Sequence, residues 1–253
     1  MTHGTWHGAV LPLGALAAAE AAMRMGGTQS DALAAPSAVL AAGWQALADG
    51  SLLEATLQTL ETVAGGIVIG GGLGLLLGIW LGLTPAAARL SRATVEMLRP
   101  VPSVALIPLA MLLFGFGFRM QAAVISFACF WPMLLLSEAA VREIEPCLLE
   151  VSRMLGLGPL KRVLNIVLPA ALPRLFVALR LVTGVALVLA ITTEITANPR
   201  GLGYAMMSAQ QTLQPALMLA FLLWVAVLGW GINALMLAVQ NRLLFRLGPG
   251  RPA

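Results

Sequence analysis

The chain has 253 residues, of which 59% are hydrophobic and only 10% charged, whereas a soluble domain carries about 25% charged residues. That balance excludes a water-soluble globule, a collagen, a coiled coil, a disulfide scaffold and a disordered tail. The net charge of +4 includes a single lysine, Lys161; Leu160 precedes it, so the Gly-Lys-Ser/Thr of a phosphate-cradling loop is missing and a nucleotide site of that type is excluded.

A hydrocarbon core about 30 Å thick takes about 20 apolar residues per helical crossing. Apolar runs fall at 8–25, 62–83, 101–118, 120–141, 175–197 and 216–239, which predicts an all-α membrane protein with six transmembrane helices. The first run contains Glu20 and Arg24. Residues 1–7 hold no Lys or Arg, the positive region that a cleaved signal peptide needs, so this run is read as a retained span. His3 and His7 stand four residues apart without a third ligand, and no metal site is expected. Segment 26–60 reads as an external loop with short surface helices, one starting at Pro36-Ser37 and one at Ser51 through Leu52, Leu53 and Leu57.

In the second run Gly66, Gly70, Gly74, Gly78 and Gly82 recur every fourth residue. Such a row clears one helix face so that a neighbouring backbone can come close, which predicts tight helix packing. The third and fourth runs carry Phe114, Phe116, Ser126, Phe127, Phe130 and Trp131. These are candidate lining residues of a translocation pathway, although core packing is the commoner use of aromatic side chains. Cys129 and Cys147 lack CxxC spacing and are read as packing residues.

Between the fourth and fifth runs lies the polar stretch 142–173. After Pro146, Leu148, Val151, Ser152 and Leu155 share a helical face, with Glu150 and Arg153 on another. Gly156 and Gly158-Pro159 end that helix, and a second short helix through Val163, Ile166 and Val167 is expected to stop at Pro169. In the fifth run Glu194 follows Thr193. A carboxylate at the bilayer centre costs about 2.5–3.5 kcal/mol, so it serves either the pathway or a structural role, pairing with an Arg or capping the following segment; the residues alone leave these open.

With the N-terminus inside, every cationic residue except Arg24, Arg119 and Arg200 falls on the cytoplasmic side. The positive-inside rule selects that orientation, with both termini cytoplasmic, and makes nucleic acid an unnecessary partner.

Glu150-Val151-Ser152, three residues, Gly156, nine residues, then Ile166-Val167-Leu168-Pro169 resembles the EAA loop of the permeases of bacterial ABC importers, with Val151 and Ser152 where Ala is usual. From about residue 33 to 245 the chain looks most like the alkanesulfonate, taurine and nitrate permeases. Leu98-Arg99-Pro100-Val101-Pro102, Phe114-Gly115-Phe116-Gly117, Phe130-Trp131-Pro132 and Gly201-Leu202-Gly203-Tyr204 carry that likeness. Glu61, Leu136, Ala140 and Ala178 depart from it.

The resemblance implies a type I importer permease bundle in the bacterial inner membrane. It implies a homodimer with two ATP-binding subunits that hold ATP and Mg, a periplasmic solute-binding protein, and no cofactor or catalytic residue in this chain. The loop would dock on the ATPase through Leu148, Leu149, Glu150, Val151, Ser152, Arg153, Leu155, Gly156, Leu157 and Gly158, with Ile166, Leu168 and Pro169 completing the signature. Candidate pathway residues are Glu194, Thr193, Phe114, Phe127 and Trp131, and the solute is expected to be a small, sulfonate-, taurine- or nitrate-like anion. The expected organisation is an N-terminal span with an external helical segment (1–55), a core permease domain (56–245) and a cytoplasmic tail (246–253). A secondary transporter would need ion-coupling groups, for which only Glu194 is available. An integral-membrane lipid enzyme would need a catalytic constellation that the sequence does not show.

Overall fold

A computed structural model describes residues 34–246, together with six positions between Gly14 and Met23. The expected first span, 8–25, therefore lies mostly outside the described residues. One tie is visible there: the Glu20 carboxylate accepts hydrogen bonds from the Ser37 N–H (3.0 Å) and Oγ (2.7 Å). Carboxylates favour such positions because the first turn of a helix leaves N–H groups free.

Nine helical segments follow, with no strand among the described residues. They are α1 (Pro36–Ala48), α2 (Ser51–Leu83), α3 (Pro85–Leu98), α4 (Ser103–Phe114), α5 (Phe118–Arg142), α6 (Pro146–Met154), α7 (Pro159–Ala197), α8 (Leu202–Gln211) and α9 (Pro215–Arg246). Among them α2, α5, α7 and α9 are long and apolar enough to cross a membrane. Two elements differ from the expected six-span layout. The run at 101–118 is not a straight span: its helix, α4, has 12 residues, reaching only about 18 Å at 1.5 Å per residue. Pro100 and Pro102 break the chain before it and Gly115 and Gly117 after it. It bends 77° from α3, and the pair makes a fifth span only if counted together. Secondly, residues 51–60 are not a separate surface helix but the first turns of α2. At 33 residues, or about 50 Å, α2 is longer than a bilayer core of about 30 Å.

The glycine row of α2 lies against α5. A Cβ added at Gly74 would stand 2.5 Å from the Phe130 carbonyl oxygen, one at Gly78 2.5 Å from that of Leu134, and one at Gly82 2.7 Å from Val141. At Gly66 and Gly70 it would overlap Ile125 and the Ser126 backbone. Backbones this close gain dispersion contacts that larger side chains would forbid. Around this pair the core is built from Val63, Val124, Ile125, Cys129, Val182 and Ala186. A π turn at Ile67–Gly71 interrupts the α-helical bonding of α2 midway through the row.

Candidate docking loop and buried carboxylate

Residues 142–173 form α6, a turn, and the first part of α7. The α6 helix ends on Gly156, whose φ is +61°, and the Leu157 N–H donates to the Ser152 carbonyl at 3.1 Å. This is the six-to-one bond of a Schellman ending, which calls for a residue in the left-handed region. No atom beyond its chain neighbours lies within 4 Å of where a Gly156 Cβ would stand, so the requirement is one of backbone conformation alone. Leu148, Val151, Met154 and Leu155 are exposed, Met154 at 87%, while Ser152 is fully buried. Ser152 therefore faces the body of the protein, apart from the apolar residues expected beside it. Glu150 and Gly158 are exposed and Leu157 is half-buried.

The second short helix does not stop at Pro169. Residues 159–197 form one helical run. A π turn at Val163–Val167 precedes Pro169, which sits in the first turn of the α-helical part. Proline is tolerated there because its missing N–H is not needed and the π turn changes the bonding just before it. Val167 and Ala171 are fully buried against Ile79, Ala140, Val141 and Ile144, and Arg174 pairs with Glu143 at 2.9 Å. The loop is thus seated on the ends of α2 and α5 and continues without interruption into α7. Ile166 and Leu168 are half-buried, Leu168 against this cluster.

At the other end of α7, Glu194 is 1% exposed. Its Oε2 accepts hydrogen bonds from Thr59 Oγ1 (3.0 Å) and the Gly203 N–H (2.9 Å). Thr59 Oγ1 in turn accepts from the Leu202 N–H (2.9 Å), and Gln58 Oε1 from the Gly201 N–H (2.9 Å). Three successive N–H groups at the start of α8 are therefore satisfied by side chains from two long helices, as the positive end of a helix favours. Gly201, with φ +95°, leaves room for the carboxylate; a Cβ there would overlap it. In this geometry Glu194 caps the segment that follows its own helix. Thr193 is fully buried and receives Gln121 Nε2 at 3.4 Å. The sequence reading missed Gln58 and Thr59. Their signal was the polar set Thr56, Thr59 and Thr62, spaced along one face of an apolar helix.

The aromatic candidates separate. Phe127 and Trp131 meet edge to face with ring centroids 5.7 Å apart and line one cavity. Phe116 lines another, of about 410 Å³, beside Glu194 and Asn198. Phe114 is half-exposed at the end of α4.

Several long apolar helices, a backbone-tight glycine seam and a helical loop between two spans define a polytopic membrane protein. Residues 72–248 match the profile of the family described as "binding-protein-dependent transport system inner membrane component", and the chain belongs to that family. Among its relatives is a protein of Escherichia coli named for aliphatic sulfonates transport, permease protein SsuC, 31% identical over 87% of this chain and 83% of the relative. The taurine transport system permease protein TauC of Escherichia coli is 28% identical over 80% and 74% of the two chains. The bicarbonate transport system permease protein CmpB of Synechococcus elongatus is 30% identical over 64% and 59%. The fold resembles a chain of the inward-facing MetNI methionine ABC transporter, with a TM-score of 0.61, 22% identity and coverage of 78% of this chain and 94% of that one. The chain is a transmembrane permease subunit of an ABC importer, without enzymatic activity of its own. Membership in the family implies an ATPase partner and a binding protein.

Proposed function

We propose that two copies of this chain form the translocation pathway of an importer for a small anionic solute of the sulfonate or taurine kind. A periplasmic binding protein delivers the solute, and two ATPase subunits holding ATP and Mg drive transport. Both termini face the cytoplasm, as the distribution of arginines supports. Residues 142–173 dock on the ATPase, residues 56–245 form the permease core and the rest flanks it.

One observation carries this reading. Helix α6 exposes Leu148, Val151, Met154 and Leu155, while the chain just after it is seated on the ends of α2 and α5 and runs on as α7. An apolar face displayed on a loop, away from the lipid-length helices, is what a soluble partner would cover. Its rigid seat lets a push on α6 reach the spans. In proteoliposomes containing the whole transporter, the double variant Glu150→Arg, Gly156→Asp is expected to lose uptake and binding-protein-stimulated ATP hydrolysis at least tenfold, with membrane insertion unchanged. Uptake at the unmodified rate would overturn the docking role.

A further inference from the structure

We propose that the C-terminal end of α7 holds a small monovalent cation of the sodium kind, bound by Glu194 Oε1 and Asn198 Oδ1. The inference stands apart from the identity of the transported solute.

Capping α8 uses only half of the Glu194 carboxylate. Oε2 accepts from Thr59 and from the Gly203 N–H, whereas Oε1 is buried and has no donor. Asn198, about one helical turn further along the chain, is in the same condition. Its Nδ2 donates to the Arg200 carbonyl at 3.2 Å, which fixes the orientation of the amide and leaves Oδ1 buried without a donor. The other buried side-chain atoms without a partner among the described residues are Trp131 Nε1, Arg162 Nε and Ser137 Oγ, all of which can donate. The two that only accept therefore belong to neighbouring turns of the chain, and their residues line one cavity of about 410 Å³, together with Tyr204, Ser208 and Gln211 of α8.

A buried carboxylate oxygen without a partner is costly. Among the described residues Glu194 belongs to no ion pair, the pairs formed being Arg142 with Glu138 and Arg174 with Glu143, and the nearby Arg200 is exposed. The α7 helix also ends here, on the extended backbone of Asn198 (φ −129°, ψ 124°). The last carbonyls of a helix have no following N–H and form its negative end, and such ends coordinate sodium in membrane proteins.

The class of ion follows from the oxygens. One carboxylate balances one positive charge, and no group of three or more His, Cys, Asp or Glu occurs among the described residues, so a divalent ion would lack the charged ligands it prefers. A proton on Oε1 is the rival. It bridges two oxygens at most, whereas the carbonyl end of α7 and the Ser208 and Gln211 side chains on the same cavity offer acceptors that only an ion would use. The ion would tie the end of α7 into the clamp that Glu194 already makes with α2 and α8.

The test uses the assembled transporter in detergent without nucleotide, at fixed pH, with ionic strength held by N-methyl-D-glucamine chloride. Binding of radioactive sodium is measured by equilibrium dialysis, and thermal unfolding of the permease is followed in parallel. Saturable binding to each permease chain is expected, with a rise in Tm of about 5 °C when sodium stands a hundredfold above its Kd. Glu194→Gln keeps one oxygen for Thr59 and Gly203 and replaces Oε1 by an amide that donates. It should bind sodium at least tenfold more weakly and unfold at a temperature that sodium does not change. Asn198→Ala removes the second oxygen and should weaken binding about tenfold; it decides the matter if Glu194→Gln does not assemble. Glu61→Gln, which alters an exposed carboxylate on α2, should leave binding unchanged. Absence of sodium binding in the unmodified chain would overturn the proposal and assign a proton to Oε1. Full binding in Glu194→Gln or in Asn198→Ala would overturn it by placing the ion elsewhere, and displacement of sodium by an equal concentration of magnesium would overturn the monovalent class.

Discussion

Helices α6 and α8 are similar in length and both lie outside the long spans, yet they are held in opposite ways. The start of α8 is bound by Gln58, Thr59 and Glu194, and its Leu202 is fully buried. By contrast, α6 shows its apolar side chains to solvent and is anchored by the chain that follows it. Each depends on a glycine with positive φ, Gly156 after α6 and Gly201 before α8, but only Gly201 is also hemmed in by a side chain. The difference separates a helix fixed within its own chain from one left open to a second protein.

The sharpest way to break this contrast is a matched pair of substitutions. Gly201→Ala forces a methyl group into the Glu194 carboxylate and adds backbone strain, so a loss of about 3 kcal/mol is expected in denaturant unfolding of the solubilised protein. Gly156→Ala has only the backbone cost, about 1 kcal/mol; equal losses would remove the distinction. Between them falls Glu194→Ala, which frees the Gly203 N–H and Thr59 Oγ1 in a buried place and is expected to cost about 2 kcal/mol by the same measurement. Replacing Met154 and Leu155 by Ser should change stability by less than about 0.5 kcal/mol, while weakening capture of the ATPase subunit about tenfold in a pull-down titration. A large stability loss there would place α6 inside the fold.

The smallest effect concerns Asp49, an exposed residue whose carboxylate is held below its ordinary range by the Ser51 N–H at 2.9 Å. A carboxylate lowered by folding contributes stability above its unfolded pKa and loses it as pH falls through the folded one. The acid limb of the unfolding profile should therefore flatten slightly in Asp49→Asn; an identical limb would remove Asp49 from the account.

Features that depend on near neighbours in the chain were legible from residues alone. The four-residue glycine spacing, the Pro146 start and Gly156 end of α6, and most of the apolar runs are local patterns. The break before α4 was legible too, in Pro100 and Pro102, but a count of apolar residues across 101–118 outweighed it. What could not be read is long-range or depends on bond register. Thr59 and Glu194 are 135 positions apart, so nothing near either residue names the other. The π turns at Ile67–Gly71 and Val163–Val167 contain ordinary apolar sequence, and the second carries α7 past a proline that otherwise reads as a stop.

The glycine seam has a mechanical consequence. At five successive levels α2 puts no side chain of its own between itself and α5: the Gly70, Gly74 and Gly78 positions face α5 backbone, and Gly66 and Gly82 face the Ile125 and Val141 side chains. Sliding one helix along the other by a fraction of a turn would drive packed atoms together along the seam, because close-packed interiors offer no slack. The two helices therefore act as a single strut, and any change of shape during a transport cycle must be taken up at joints outside it, such as the 77° elbow between α3 and α4.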